Sequence, residues 1–182
     1  RKASFGYFGH MWELYTFWAF VPILLKTYSD MYAKVQFNIP LLSFFIIGIG
    51  SISCVLGSYL AAKFGTKRTA FSLLLLSCIC CLVSPLFFLV SNGTIFLLFL
   101  LFWGIVVIAD SPLFSTLVAQ NAPETDKGTA ITIVNCIGFS ITILSIQLIS
   151  TLFHSTSSTF VFLILAFGPI LGLISLRSKR VF

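Results

Sequence analysis

FGYFGHMWELYTFWAF, residues 5–20, sets an ionisable pair inside a segment whose other residues suit lipid. Gly6, His10, Glu13 and Phe17 recur at three- and four-residue spacing, so a helix brings them onto one face. A carboxylate near the bilayer centre costs roughly 2.5–3.5 kcal/mol on insertion scales, so such a residue faces a bundle interior or a watery cavity. Glu13 is therefore the first candidate for function. The plainer use of the same residue is a hydrogen-bonded carboxyl that holds helices together.

Hydrophobic residues fill 58 % of the 182 positions and charged residues 9 %, with 21 Phe. Soluble domains carry about a quarter charged residues, so the composition predicts an integral membrane protein whose first partner is the lipid bilayer. The formal net charge of +6 sits at the ends of apolar runs, where orientation in a membrane accounts for it. Nucleic acid is not expected as a partner. Cys54, Cys78, Cys80, Cys81 and Cys136 all lie inside apolar runs, and neither His10 nor His154 is spaced from them as a zinc ligand would be. They read as small packing residues, and no metal or cofactor is expected. The chain opens Arg-Lys-Ala, and its first apolar run is too long and too aromatic for a signal-peptide core, which suggests a segment upstream.

Taking about 20 apolar residues per crossing, the runs predict six spans, at 5–25, 39–62, 69–90, 94–121, 129–153 and 159–176. Polar or turn-forming breaks separate them, the longest being Lys26–Asn38 with Tyr28, Asp30, Tyr32 and Lys34. Arg1, Lys2, Lys63, Lys67, Arg68, Lys127, Arg177, Lys179 and Arg180 fall on one side, against Lys26 and Lys34 on the other. By the positive-inside rule both termini are cytoplasmic, in a plasma or bacterial inner membrane. Asn92-Gly93-Thr94 matches a glycosylation sequon but hugs the membrane, where a turn is expected.

Asp110, in GIVVIADSPLFSTLVAQ, is the second acid within a span. Pro112 follows it and lacks a backbone donor, so the fourth helix is predicted to bend or open there. At 1.5 Å per residue, Glu13 and Asp110 both lie about 3–4 Å to the cytoplasmic side of the midplane, able to line one cavity. Every Lys and Arg lies at or beyond a span end, so only His10, one turn from Glu13, offers a basic group within the membrane. The acids are left to protonation, a bound cation, or a basic group supplied from elsewhere. In the fifth span Thr132, Asn135 and Thr142 make a polar stripe near Gly138, suited to a substrate or to a neighbouring helix. Trp12, Trp18 and Trp103 read as packing residues, and the glycines of the second and sixth spans as points of close approach. No serine has a histidine placed as its base, and no phosphate loop or paired metal histidines occur, so an enzyme is not expected.

The stretch Ser58–Arg68, SYLAAKFGTKR, resembles the cytoplasmic signature of the major facilitator superfamily, Gly-x-x-x-Asp-Arg-x-Gly-x-Arg-Arg, with Lys63, Gly65, Lys67 and Arg68 in register. Ser58 replaces the glycine and Ala62 the aspartate, as is typical of the copy in the family's C-terminal half. Gly9–Tyr15 and Ala109–Pro112 are similar to the seventh and tenth helices of bacterial members, and Ala122–Gly128 to the turn that follows the tenth. The resemblance implies an all-α membrane protein, a six-transmembrane-helix bundle forming one half of a major facilitator transporter. It implies a secondary active transporter working by alternating access, with the first and fourth helices of each half lining the cavity. Carried onto this sequence, that points to Glu13 and Asp110, with His10 beside Glu13, as substrate or proton sites, and to Lys63, Gly65, Lys67 and Arg68 as the gate loop; the polar stripe adds Asn135 to the candidate sites, and Pro112 is the expected helix kink. The expected partners are a small solute or ion, protons, and either an N-terminal six-helix half or a second copy. The rival expectation is a non-transporting six-helix subunit or assembly factor.

Overall fold

The computed structural model describes residues 2–156 and 158–177. Arg1, Lys179 and Arg180, which enter the charge asymmetry above, lie outside the described residues. The elements are α1 (Lys2–Met31), α2 (Ile39–Gly48), α3 (Gly50–Phe64), α4 (Thr66–Phe88), α5 (Gly93–Ala109), α6 (Ser111–Gln120), α7 (Lys127–Thr156) and α8 (Phe167–Arg177). Single-turn 3-10 geometry at Glu124–Asp126 leads into α7, and a longer 3-10 stretch, Thr159–Ala166, leads into α8. The described residues contain no strand.

Among the described residues five helical segments, not six, are long and apolar enough to cross a membrane: Ile39–Phe64, Thr66–Phe88, Gly93–Gln120, Glu124–Thr156 and Thr159–Arg177. The exception is α1, which at 30 residues has the length. His10 and Glu13, together with its Tyr, Trp, Thr and Gly residues, hold its hydropathy down. The residues that single α1 out for chemistry are the ones that hide it from a hydropathy count. Even so it is central, packing along α7 and α8 and touching α2, α5 and α6.

Two of the crossings are interrupted. The second turns at Ile49 between α2 and α3, flanked by Gly48 and Gly50. The fourth turns at Asp110 between α5 and α6, with Pro112 in the first turn of α6. Pro112 has no N–H for the carbonyl of Ile108, four residues back. The Cys54 thiol of α3 lies 3.7 Å from that oxygen and takes the donor's place. At this level α3 and the junction are in backbone contact: a Cβ on Gly57 would land on the Ala109 carbonyl oxygen.

The predicted loop Lys26–Asn38 is largely helix, because α1 continues to Met31. Lys26 and Asp30 pair across one turn at 3.0 Å, and Tyr28, fully buried, stacks on Phe96 with ring centroids 4.0 Å apart. Its hydroxyl donates to the carbonyl of Val90 at 2.5 Å, and that of Tyr32 to Phe88 at 3.0 Å. These bonds tie the end of α1 to the turn between α4 and α5. Asn92 of the sequon caps α5, its side-chain oxygen accepting from Thr94 N at 3.0 Å and Ile95 N at 3.4 Å.

Candidate functional site

Glu13 sits on the middle of α1 with no solvent exposure. Its Oε1 accepts three hydrogen bonds: from Ser77 Oγ, from Cys81 Sγ at 3.2 Å and from Trp103 Nε1 at 2.7 Å. Ser77 and Cys81 stand four apart on one face of α4, so their side chains reach the same atom. Trp103 comes from α5, where its ring is held between Phe17 and Phe99 at centroid distances of 4.6 and 5.6 Å. Oε2 is buried and has no hydrogen-bond partner among the described residues. One oxygen is saturated and the other is bare.

One turn earlier on α1, His10 turns away from Glu13. Its Nδ1 lies 2.9 Å from Asp110 Oδ1 at the α5–α6 junction, an ion-pair distance without hydrogen-bond alignment. Both residues are buried, at 1 % and 0 % exposure, and the imidazole rests against Phe114 of α6 at 5.7 Å. His10 Nε2 and both Asp110 carboxyl oxygens lack hydrogen-bond partners among the described residues. Asp110 is thus brought beside the turn of α1 that precedes Glu13, and His10 pairs with it rather than with Glu13. Both lie in the packed interior of the bundle rather than on an open cavity wall.

The stripe predicted on the fifth span divides. Thr142 Oγ1 bonds the carbonyl of Met11 at 3.2 Å and belongs to the α1–α7 seam. Thr132 is exposed and bonds back to Gly128 at 2.9 Å, while Asn135 is half-buried between these faces. Neither joins the Glu13 site.

Ser77, Cys81 and Trp103 are the site residues missed from sequence. Their signal was slight: a Ser and a Cys at i and i+4 in an apolar helix, and a tryptophan deep in a span whose N–H needs an acceptor.

The sequence pattern of the Major Facilitator Superfamily matches residues 3–146. The chain belongs to the Major Facilitator Superfamily. No curated protein and no solved structure matches it. As a member of this family of transporters it is a multi-pass membrane protein, and its signature loop takes its shape from Gly65. That residue lies at φ 90°, the left-handed region open to glycine, and turns the chain from α3 directly into α4. Lys67 and Arg68 open α4 and line two adjacent grooves of about 480 and 450 Å³. One is bounded by Leu117, Gln120 and Asn121, the other by Phe71, Leu176 and Arg177. Lys63 lies 5.4 Å from the centre of the Phe64 ring. Among the described residues Lys63, Lys67 and Arg68 form no ion pair, so this end of the Major Facilitator bundle carries uncompensated positive charge.

Proposed function

We propose that these residues form half of a secondary active transporter that moves a small solute coupled to protons, with Glu13 as the proton-carrying group. The observation that supports this most is the asymmetry of its carboxyl. Three donors fix Oε1, while Oε2 is enclosed without a partner. A proton on Oε2, or a cation against it, completes the site, and nothing else within the described residues does. His10, one turn away with its Nε2 orphaned, and the Asp110 carboxyl beside it serve as the second station.

In this reading α1 is the sixth crossing, its polar residues turned inward, and both termini face the cytoplasm. The α5–α6 break at Asp110 is the point where the bundle flexes to let water reach the carboxyls, with Pro112 keeping the break open. Asn135 contacts solute from the flank of α7. The loop of Lys63, Gly65, Lys67 and Arg68 closes against a second bundle, either an N-terminal half or a second copy, as the two rock past each other. The test is solute uptake by vesicles under an imposed pH gradient, screened across a panel of small solutes with the full-length protein. Glu13→Gln is expected to abolish gradient-driven uptake while the folded protein persists in detergent. Unchanged coupling would remove Glu13 from the mechanism.

The same three hydrogen bonds favour one rival, a non-transporting subunit in which Glu13 locks α1 to α4 and α5. There Glu13→Gln would loosen the bundle or release a partner protein, and no solute on the panel would be taken up by the unaltered protein.

A further inference from the structure

The start of α4 and the end of α8 meet at the end of the bundle that carries the signature loop. The groove of about 450 Å³ between them is lined by Lys67, Arg68, Phe71, Ser72, Leu176 and Arg177. Three cations share this space, no Asp or Glu lines it, and among the described residues none of the three is ion-paired. Lys67 and Arg68 occupy the first turn of α4, which has no acid and no side-chain cap, so they add positive charge to the positive end of the helix dipole. The Ser72 hydroxyl is unused as well. Those of Ser58, Ser140 and Thr151 donate to carbonyls four residues back, whereas Ser72 has no partner among the described residues. Two apolar strips run from the groove towards the middle of the spans. At about 100° per residue, Arg68 and Ser72 head a face of α4 that continues through Leu75, Ile79 and Leu82, and Arg177 heads one on α8 with Ile174 and Ile170. These five apolar residues are each exposed by 40 % or more.

We propose that this groove binds the phosphate of an anionic phospholipid whose acyl chains lie along the two strips; the proposal does not depend on the transport reading above. Charge selects the head. The phosphate offsets the cations and the helix dipole and accepts from the free hydroxyl of Ser72, while a zwitterionic head brings no net charge to do so. Depth selects a lipid over a soluble phosphate compound. Lys67 and Arg68 open the apolar segment Thr66–Phe88 and Arg177 closes Thr159–Arg177, which is the level of the headgroups. Ser72 and Leu82 are separated by about 15 Å of helix, half the thickness of a hydrocarbon core and so the reach of a chain within one leaflet. Lys67 and Arg68 also border the groove beside α6, but Ser72 and Arg177 belong to this one alone.

The full-length protein, stripped of lipid in a neutral detergent, is titrated with phosphatidylglycerol, phosphatidylcholine or glycerol phosphate, and bound molecules are counted by native mass spectrometry. Phosphatidylglycerol is expected to bind at least about tenfold more tightly than phosphatidylcholine, and Arg177→Gln to weaken it about fivefold, the worth of one cation near an anionic headgroup. Arg177→Lys keeps the charge and should keep the binding, which separates charge from any loss of folding. Lys63→Gln, outside the groove, should leave the affinity unchanged. A phosphatidylglycerol carrying a photoreactive acyl chain should cross-link within residues 72–82 and 170–174, and less so in Arg177→Gln. Equal binding of the two lipids, or an affinity indifferent to Arg177→Gln, would overturn the proposal. Glycerol phosphate binding as tightly as the lipid would give the groove to a soluble phosphate compound instead. Cross-links confined to other helices, or no bound lipid because a second bundle covers the groove, would overturn it equally.

Discussion

Trp103→Phe removes one of three donors to Glu13 Oε1 while keeping an aromatic ring between Phe17 and Phe99. A hydrogen bond of this kind contributes about 0.5–1.5 kcal/mol when both partners are neutral and about 1.5–3 kcal/mol when one is charged. Some packing is lost as well, because Trp103 is fully buried. A double-mutant cycle with Glu13→Met separates the two contributions, methionine being an unbranched, adaptable filler for a packed site. Glu13→Met strands the buried indole N–H and Trp103→Phe takes one of three donors from Oε1, whereas the double change removes both ends of the bond, so the double mutant should cost less than the sum of the singles. We expect a coupling of about 1–3 kcal/mol, read from SDS unfolding curves in mixed micelles followed by circular dichroism. Additivity within about 0.5 kcal/mol would refute the view that the indole holds the carboxyl.

Gly57→Val places side-chain atoms on the Ala109 carbonyl oxygen and should destabilise the bundle by about 1–3 kcal/mol as an overpacked contact; an unchanged unfolding midpoint would contradict the close approach of α3 to the Asp110 junction. Asn92→Ala removes the cap of α5 and should cost about 1 kcal/mol in the same unfolding assay, with Asn92→Gly costing only a few tenths. Ser145→Ala removes the bond to the Trp12 carbonyl at 2.5 Å and the contact with Thr16, for a loss of about 1 kcal/mol; hydrogen exchange at residues 11–16 should rise, and unaltered protection there would show that the α1–α7 seam does not depend on this hydroxyl.

Glu13, His10 and Asp110 were legible in the sequence because a charged group in an apolar run is rare enough to announce itself. Their pairings were not. Spacing along α1 suggests a His10–Glu13 pair, yet the imidazole leaves its own helix for Asp110, since the α6 side of the junction packs where His10 points. Ser77 and Cys81 are small and common in membrane helices, and which of several neighbours they face is decided only by how α4 docks. The bend at Asp110 could be read from Pro112, whose missing N–H has a fixed consequence. The turn at Ile49 has no proline, and the flanking glycines admit either a bend or a close contact. The extension of α1 to Met31 depends on Tyr28 and Tyr32 finding carbonyls on the α4–α5 turn, which no local pattern encodes.

Under the transport reading, a displacement of α7 must reach Glu13, although α4 and α5 supply the donors to its carboxyl. The buried face of α7 supplies the connection. Thr142 bonds the carbonyl of Met11, Ser145 bonds that of Trp12 and also meets Thr16, so α7 grips α1 on both sides of Glu13. A backbone carbonyl held by an interhelical hydroxyl cannot shift without carrying its helix along or breaking the bond. Displacement of α7 therefore pulls on the segment of α1 that carries the carboxyl. Glu13 moves in turn against Ser77, Cys81 and Trp103, whose positions are fixed by α4 and α5. In the proposed transporter, solute and proton would then be linked by a strained hydrogen-bond set rather than by direct contact.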